Sequence, residues 1–315
     1  MAQPTNTFDT YDAVGIREDL QDVIYSISPT DTPFMSSAAR EGVKNTFHEW
    51  QTDALAAAAT NNAVIEGDEA GLDAVVATAR IGNYTQIMDK TVVITGTQEA
   101  VDKAGRASEL AYQIAKKSKE LKRDIEATLL TNQARAAGNA TTARTFASVG
   151  AWIATNDSLG ASGTSPTAAD GSDARNDGTQ RALTEDLLKG VIKGCWNSGG
   201  SPSVIMVGPF NKQKISSFTG GSTRFDASED KTLYTSIDVY SSDFGDLEVV
   251  PNRFSRDRDA LVLDMDYWSV GFLRDFTMNE LSKTGDSEKR QLLTELTLIS
   301  RSEAASGGVF DLTTA

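Results

Sequence analysis

The sequence predicts an α+β protein, with strands and helices gathered into separate stretches. Three observations carry this. A β-rich passage runs from Thr46 to Thr95, and the run from Ala107 to Ala137 holds neither Gly nor Pro. The chain also closes on "RQLLTELTLISR", whose period-two alternation is that of a long strand.

Composition bounds the answer first. A chain of 315 residues that is 39% hydrophobic buries a sizeable core, in one domain or two, without help from disulfides or metals. The single cysteine, Cys195, forms no internal disulfide, and no Cys and His clustering of the zinc-binding kind occurs, which fits a reducing compartment. The opening "MAQPTNT" has neither the basic start nor the apolar core of a signal peptide, and no run reaches the ~18 apolar residues of a membrane span. The expectation is a protein that neither spans a membrane nor leaves by that route. With 44 acidic against 30 basic residues the formal charge is -14, which argues against tight, sequence-specific nucleic-acid binding. The charges are segregated, however. Between Lys44 and Arg80 no Lys or Arg occurs, while Glu66, Asp68, Glu69 and Asp73 fall inside; the opposite bias appears at Lys116, Lys117, Lys119, Lys122 and Arg123.

Each element then has a local reason. Asp12 is a candidate N-cap for a helix to Ser26, with Val14, Leu20, Val23 and Ile24 as its apolar stripe. The turn-forming stretch "SISPTDTPFMSSAARE" breaks it and carries Phe34 and Met35 outside any apolar period. Phe47 to Gln51, with His48 and Trp50, reads as a strand. It is followed by an Ala, Asn and Gly-rich passage, Ala54 to Val76, and by strand character from Ile81 to Thr95 around "TVVIT". The whole is predicted as a long two-stranded excursion, marginal in water by itself and in need of outside support. In the helical run, Leu110, Ala111, Ile114, Leu121, Ile125 and Leu129 share a face, which predicts a half-buried helix of about 45 Å. Asp157 to Gln180 reads as a surface loop. Thr184 then caps a helix whose buried side carries Leu187, Leu188, Val191, Ile192, Cys195 and Trp196. "SVIMVG" is a buried strand, Pro209 opens another helix, "SIDVYSSDFGDLEVV" is a hairpin turning at Gly245-Asp246, and "ALVLD" is a further strand. The final strand is expected to bury one face.

Catalytic constellations are scarce, so no enzyme activity and no cofactor are predicted. The sole histidine, His48, lies in the excursion rather than beside Cys195, where a packing or interface role suits it better than catalysis. Asp257, Asp259, Asp264 and Asp266 suggest a hard-metal site, but Arg253, Arg256, Arg258 and Arg274 are interleaved with them, so mutual neutralisation at the surface is the better reading. "NSGG" and "TGGSTRF" lack the Lys and Ser or Thr of a phosphate loop, and the sequons at Asn83 and Asn139 occur at chance level.

The order of parts and five local phrases, "SPTDTPF", "ELAYQIAKKSKELKRDIEATLL", "VGPFNKQKISSF", "VYSSDFGDLEVVPNRF" and "KTGDSEKRQLLTELTL", resemble the major capsid proteins of tailed bacteriophages, with the Hong Kong 97-like fold. The resemblance implies an N-terminal arm (1–45), an extended β loop (46–95), a peripheral domain with a spine helix (96–183), an axial domain (184–267) and peripheral C-terminal strands (268–315). It also implies self-assembly into hexamers and pentamers of an icosahedral shell around double-stranded DNA, in a virion put together in the host bacterial cytoplasm. The expected partners are copies of the same chain, a portal protein, and scaffold and decoration proteins. Lysine-to-asparagine crosslinking, used by some shells of this fold, is not expected, because the loop holds no lysine between Lys44 and Lys90. On this reading Phe34 and Met35 anchor the arm in a neighbour's groove, His48 and Trp50 lie at an interface, and the acidic loop docks near a neighbour's basic spine face. The alternatives are an encapsulin-like compartment and, from another class, a soluble enzyme or monomeric binding module.

Overall fold

A computed structural model describes residues 30–69, 71–218 and 238–314. The predicted helix from Asp12 to Ser26 lies outside them, as does "TGGSTRF". In chain order the regular elements are α1 (Pro33–Ser37), β1 (Ala39–Gly42), β2 (Phe47–Thr52), β3 (Ala79–Tyr84), β4 (Gln86–Thr95), α2 (Gly96–Ala100), α3 (Glu109–Leu129), α4 (Val149–Trp152) and β5 (Asp157–Ser158). They continue with α5 (Glu185–Asn197), β6 (Val204–Val207), α6 (Pro209–Ser216), β7 (Val239–Ser242), β8 (Gly245–Pro251), β9 (Ala260–Leu263), β10 (Trp268–Leu281), β11 (Ser287–Ser300) and β12 (Gly307–Val309).

Two sheets share one core. The first has the order β1-β10-β11-β4, with the antiparallel β10–β11 pair of 14-residue strands as its axis. The second has the order β5-β12-β9-β6-β8-β7. Its strands alternate with period two: Met206, Leu261 and Leu263 face the core that α3, β10 and β11 build, while Ile205, Val207, Ala260 and Val262 face α5 and its Leu188, Ile192 and Cys195. The inner strands β6, β9 and β12 of the six-stranded sheet thus have both faces buried, while β7 and β8 alternate buried and exposed residues. The sheet also extends past the predicted bounds of the axial domain, because β5 precedes Thr184 and β12 returns from the C-terminal segment to pair with β9.

The helix α3 is shorter than the periodicity suggests, 21 residues or about 31 Å. Its start is set by Ser108, whose hydroxyl accepts from the Ala111 amide at 3.2 Å, and by Glu99, whose carboxylate accepts from the Glu109 and Leu110 amides at 3.0 and 3.3 Å. Upstream, Gly105 sits at φ +75°, which separates α2 from α3. Downstream, Ser148 draws the chain out of the helix: its hydroxyl donates to the Thr131 carbonyl at 2.6 Å and accepts from the Gln133 amide at 2.7 Å. Ala136 then bridges to Thr145. Good helix formers at 134–137 lose to this tertiary pairing.

The β excursion also differs from expectation. β2 pairs only with β3, from Phe47↔Tyr84 to Thr52↔Ala79. The stronger β signal, β4, leaves the excursion at Thr85 and joins β11 in the first sheet. The hairpin at β7–β8 turns at Asp243 and Phe244, with Gly245 already in β8 at φ +139°. In β11 both faces are buried from Thr294 to Ser300, because the root of the excursion lies over the face expected to be open.

Candidate assembly surfaces

The excursion has a root and a tip with opposite properties. At the root, Asn83 is fully buried and has both ends of its amide satisfied. Its Nδ2 donates to the carbonyls of Leu298 at 2.8 Å and Ala147 at 3.1 Å, and its Oδ1 accepts from the amides of Ala147 at 2.8 Å and Tyr84 at 3.0 Å. The β4 ladder on β11 stops at Gln86↔Leu296, so the Asn83 side chain supplies the next bond to that edge. Arg135 donates to the Gly82 carbonyl and to Asp170, and lies over the Phe47 ring at 5.5 Å. Trp50 stacks on buried Trp152 with centroids 5.6 Å apart, and His48 lies against Trp50 at 5.8 Å. Behind the root, Glu295 accepts from the Thr85 hydroxyl and Arg274 at 2.8 Å each and from Arg144. Burial raises the Glu295 carboxyl, but Thr85, Arg274 and Arg144 outweigh it and hold it below the usual carboxylate range.

At the tip, residues 53–78, the described residues form no helix or strand. Leu55, Leu72 and Val75 are each at least 98% exposed, and Val64, Ile65 and Val76 are at least 78% exposed. Glu66, Asp68, Glu69 and Asp73 are exposed among them. This cluster of large apolar side chains is open to solvent, although large apolar surfaces on soluble chains usually mark contacts.

The basic face of α3 is only partly open. Lys117 pairs with Glu120 at 2.6 Å, Lys122 lies over Phe276 at 6.0 Å, and Arg123 stacks on Phe254 at 5.3 Å. Lys116 and Lys119 are exposed. The acidic tip and these lysines belong to different parts of the chain, and no ion pair between them occurs among the described residues.

Phe34 needs a correction. It is completely buried in the chain's own core, edge-on to Trp268 at 6.4 Å, and Met35 packs beside it. The turn-rich stretch folds into α1, and Glu126 of α3 accepts from the amides of Phe34 at 2.7 Å and Met35 at 2.9 Å. The groove expected on a neighbour is present at home.

The groups considered for chemistry are engaged structurally. Burial pushes the Cys195 thiol up to about 12, so it is a poor nucleophile. Asp259 pairs with Arg175 at 2.5 Å in the interior, Arg256 and Arg258 both bind Asp177, and Asp264 accepts from the Ser201 amide at 3.0 Å. Of the four aspartates, Asp259 alone is neutralised in the interior, by Arg175 of the loop read as a surface one, while Asp257 and Asp266 are exposed. No group of three or more His, Cys, Asp or Glu among the described residues is placed to hold a metal ion, and no described helix is long and apolar enough to cross a membrane. The sequence reading missed Asn83, Arg135, Arg175 and Glu126 as organising residues. Glu126 had a legible signal: it lies three residues from Leu129 on the apolar stripe of α3.

A family model described as SU10 major capsid protein matches residues 3–313. The chain belongs to the SU10 major capsid protein family. Among curated proteins it is similar to the major capsid protein of Escherichia phage Phieco32, 43% identical over 135 residues; that match spans 43% of this chain and 38% of the relative. Among solved structures, a Gordonia phage Cozz chain superposes with a TM-score of 0.63 at 12% identity, covering 95% of this chain and 92% of its own. A chain of the Cyanophage A-1(L) capsid asymmetric unit gives 0.63 at 13% identity, with 98% and 99% covered. At such identities the likeness speaks for the fold, which is the Hong Kong 97-like one. As a major capsid protein the chain is a component of the virion and builds its shell.

Proposed function

We propose that this capsid protein assembles into hexamers and pentamers of an icosahedral head shell around phage double-stranded DNA, and that residues 53–78 lie on a neighbouring copy. The observation that carries this reading is the tip: six large apolar side chains stand open on a segment whose root is firmly built into its own chain. A second copy of the same chain is the occupant present at every position of a shell, which makes the contact repeatable. Glu66, Asp68, Glu69 and Asp73 steer the tip toward the exposed Lys116 and Lys119 of the neighbour's spine helix. Each exposed pair contributes only about 0–1 kcal/mol, so the charges set direction and the apolar side chains supply adhesion. The net charge of -14 has a use here, since an acidic lining lets duplex pack without adhering.

A portal protein, scaffold proteins and decoration proteins are the expected further partners, with assembly in the host cytoplasm. Decoration is supported by the likeness to a structure of Phage G major capsid proteins with decoration proteins, which superposes with a TM-score of 0.55. The test is particle size. Electron microscopy and sedimentation of the expressed chain should show closed particles of megadalton mass. A stable monomer near 33.7 kDa removes the reading, and particles filled with a protein cargo instead of DNA point to an encapsulin-like compartment.

A further inference from the structure

Glu126, which ties α1 to α3, is a carboxyl held only by uncharged donors. It is completely buried at the junction of three parts of the molecule: the arm root α1, the spine helix α3, and the segment after β8 that carries Asn252. Its Oε1 accepts from the Phe34 amide and from Asn252 Nδ2, each at 2.7 Å, and its Oε2 accepts from the Met35 amide at 2.9 Å. All three donors are neutral.

None of the charged groups around it among the described residues is ion-paired with it, including Arg123 one turn away, whose buried Nε has no hydrogen-bond partner. On α3, Arg123 stacks on Phe254 and Asp124 pairs with Lys90 at 2.6 Å. From the arm, α1 carries no charge, and Asp31 before it is exposed. Beyond β8, Arg253 is exposed, and β6, which places Met206 against Asn252, is uncharged. An ionised Glu126 is therefore a buried charge with no cation paired with it, an arrangement that disfavours the charged form.

We propose that Glu126 is a charge-graded latch, which ties the root of the N-terminal arm to the spine helix and the six-stranded sheet and holds tighter when neutral than when ionised. The geometry allows both forms. A carboxylate offers about four lone-pair sites, the three donors take three of them, and a proton can take the fourth without displacing any bond. Burial, the largest influence, raises the Glu126 carboxyl above its ordinary range, while the Met35 and Phe34 amides and Asn252 oppose it.

The sign follows by linkage. The carboxyl is raised in the latched form and ordinary in a released one, so the latch is strongest below the released value and weakens as pH rises through the latched one. The device holds α1 against the body of the chain and lets the ionisation of one side chain set how firmly it is held.

Amide hydrogen exchange on the unassembled full-length chain tests this. It is read as protection at Phe34 and Met35 relative to their intrinsic exchange rates, from mildly acid to neutral pH. Protection at both amides should fall severalfold across that range, while core amides of β10 and β11 stay unchanged. Glu126→Gln keeps an acceptor for Phe34 and Asn252 but sets an amide NH2 against the Met35 N–H, so it should lower protection at Met35 and abolish the pH dependence at both positions. Asn252→Ala should keep the dependence and enlarge it, because the ionised form loses a donor. Flat protection in the unsubstituted chain overturns the proposal, and so does an undiminished pH dependence in Glu126→Gln.

Discussion

The root and the tip of the β excursion belong to one continuous stretch of chain, and they are stabilised by opposite means. At the root Asn83 makes four hydrogen bonds in the interior and Trp50 stacks on Trp152. At the tip Leu55, Leu72 and Val75 touch little but solvent. The contrast separates a root that is finished within its own chain from a tip whose large side chains stay open, which the proposed assembly covers with a second copy. The arm root falls on the same side as the excursion root, since Phe34 is finished within its own chain.

Substitutions can break this contrast. Phe34→Ala removes a fully buried ring from beside Trp268 and should cost about 3–5 kcal/mol of stability in denaturant unfolding of the unassembled chain. If Phe34 served only a neighbour, that variant would unfold normally. Asn83→Ala strands the buried amides of Ala147 and Tyr84 and the carbonyl of Leu298, and should cost about 2–4 kcal/mol in the same measurement.

The root also has a predicted acid response. Glu295 is held below the ordinary carboxylate range, so its contribution is present above that range and is lost as pH falls through the depressed value. Glu295→Gln should flatten the acid side of a stability-versus-pH curve, and an unchanged acid limb would show that Glu295 is not the group concerned. The smallest effect belongs to the charges. Lys116→Glu combined with Lys119→Glu should leave unfolding within about 0.5 kcal/mol of the parent, because both residues are exposed. The same pair should slow particle formation, most at low salt. Undiminished assembly removes the electrostatic docking.

Much of this fold was legible. Thr184 and Pro209 open their helices as capping rules predict, β6 and β9 are the short apolar runs they looked like, and Cys195 faces a core. What escaped was decided by partners distant in sequence. Nothing local in "ATLLTNQARAA" shows that Ser148 will bend the chain away after Leu129, and nothing in "TVVIT" says that its partner is β11 rather than β2. Asn83 looked like a chance sequon because its meaning lies in the carbonyl of Leu298. Phe34 was misread for a similar reason. A large ring directly after a proline in a turn-rich stretch shows no local core, and its pocket is assembled from α3 and β10. That the excursion lacks a core of its own was legible, since an Ala, Asn and Gly-rich segment packs none, but the six exposed Leu, Ile and Val side chains at its tip were not singled out.

The separation of fold from assembly is tested most directly by one variant, Leu72→Ser with Val75→Ser and Val76→Ser, followed by sedimentation alongside thermal unfolding of the unassembled chain. Unfolding should match the parent within about 0.5 kcal/mol, because these side chains are exposed, while the megadalton particles should be lost or sharply reduced. Normal particles from that variant, or a chain that unfolds early, would contradict the account.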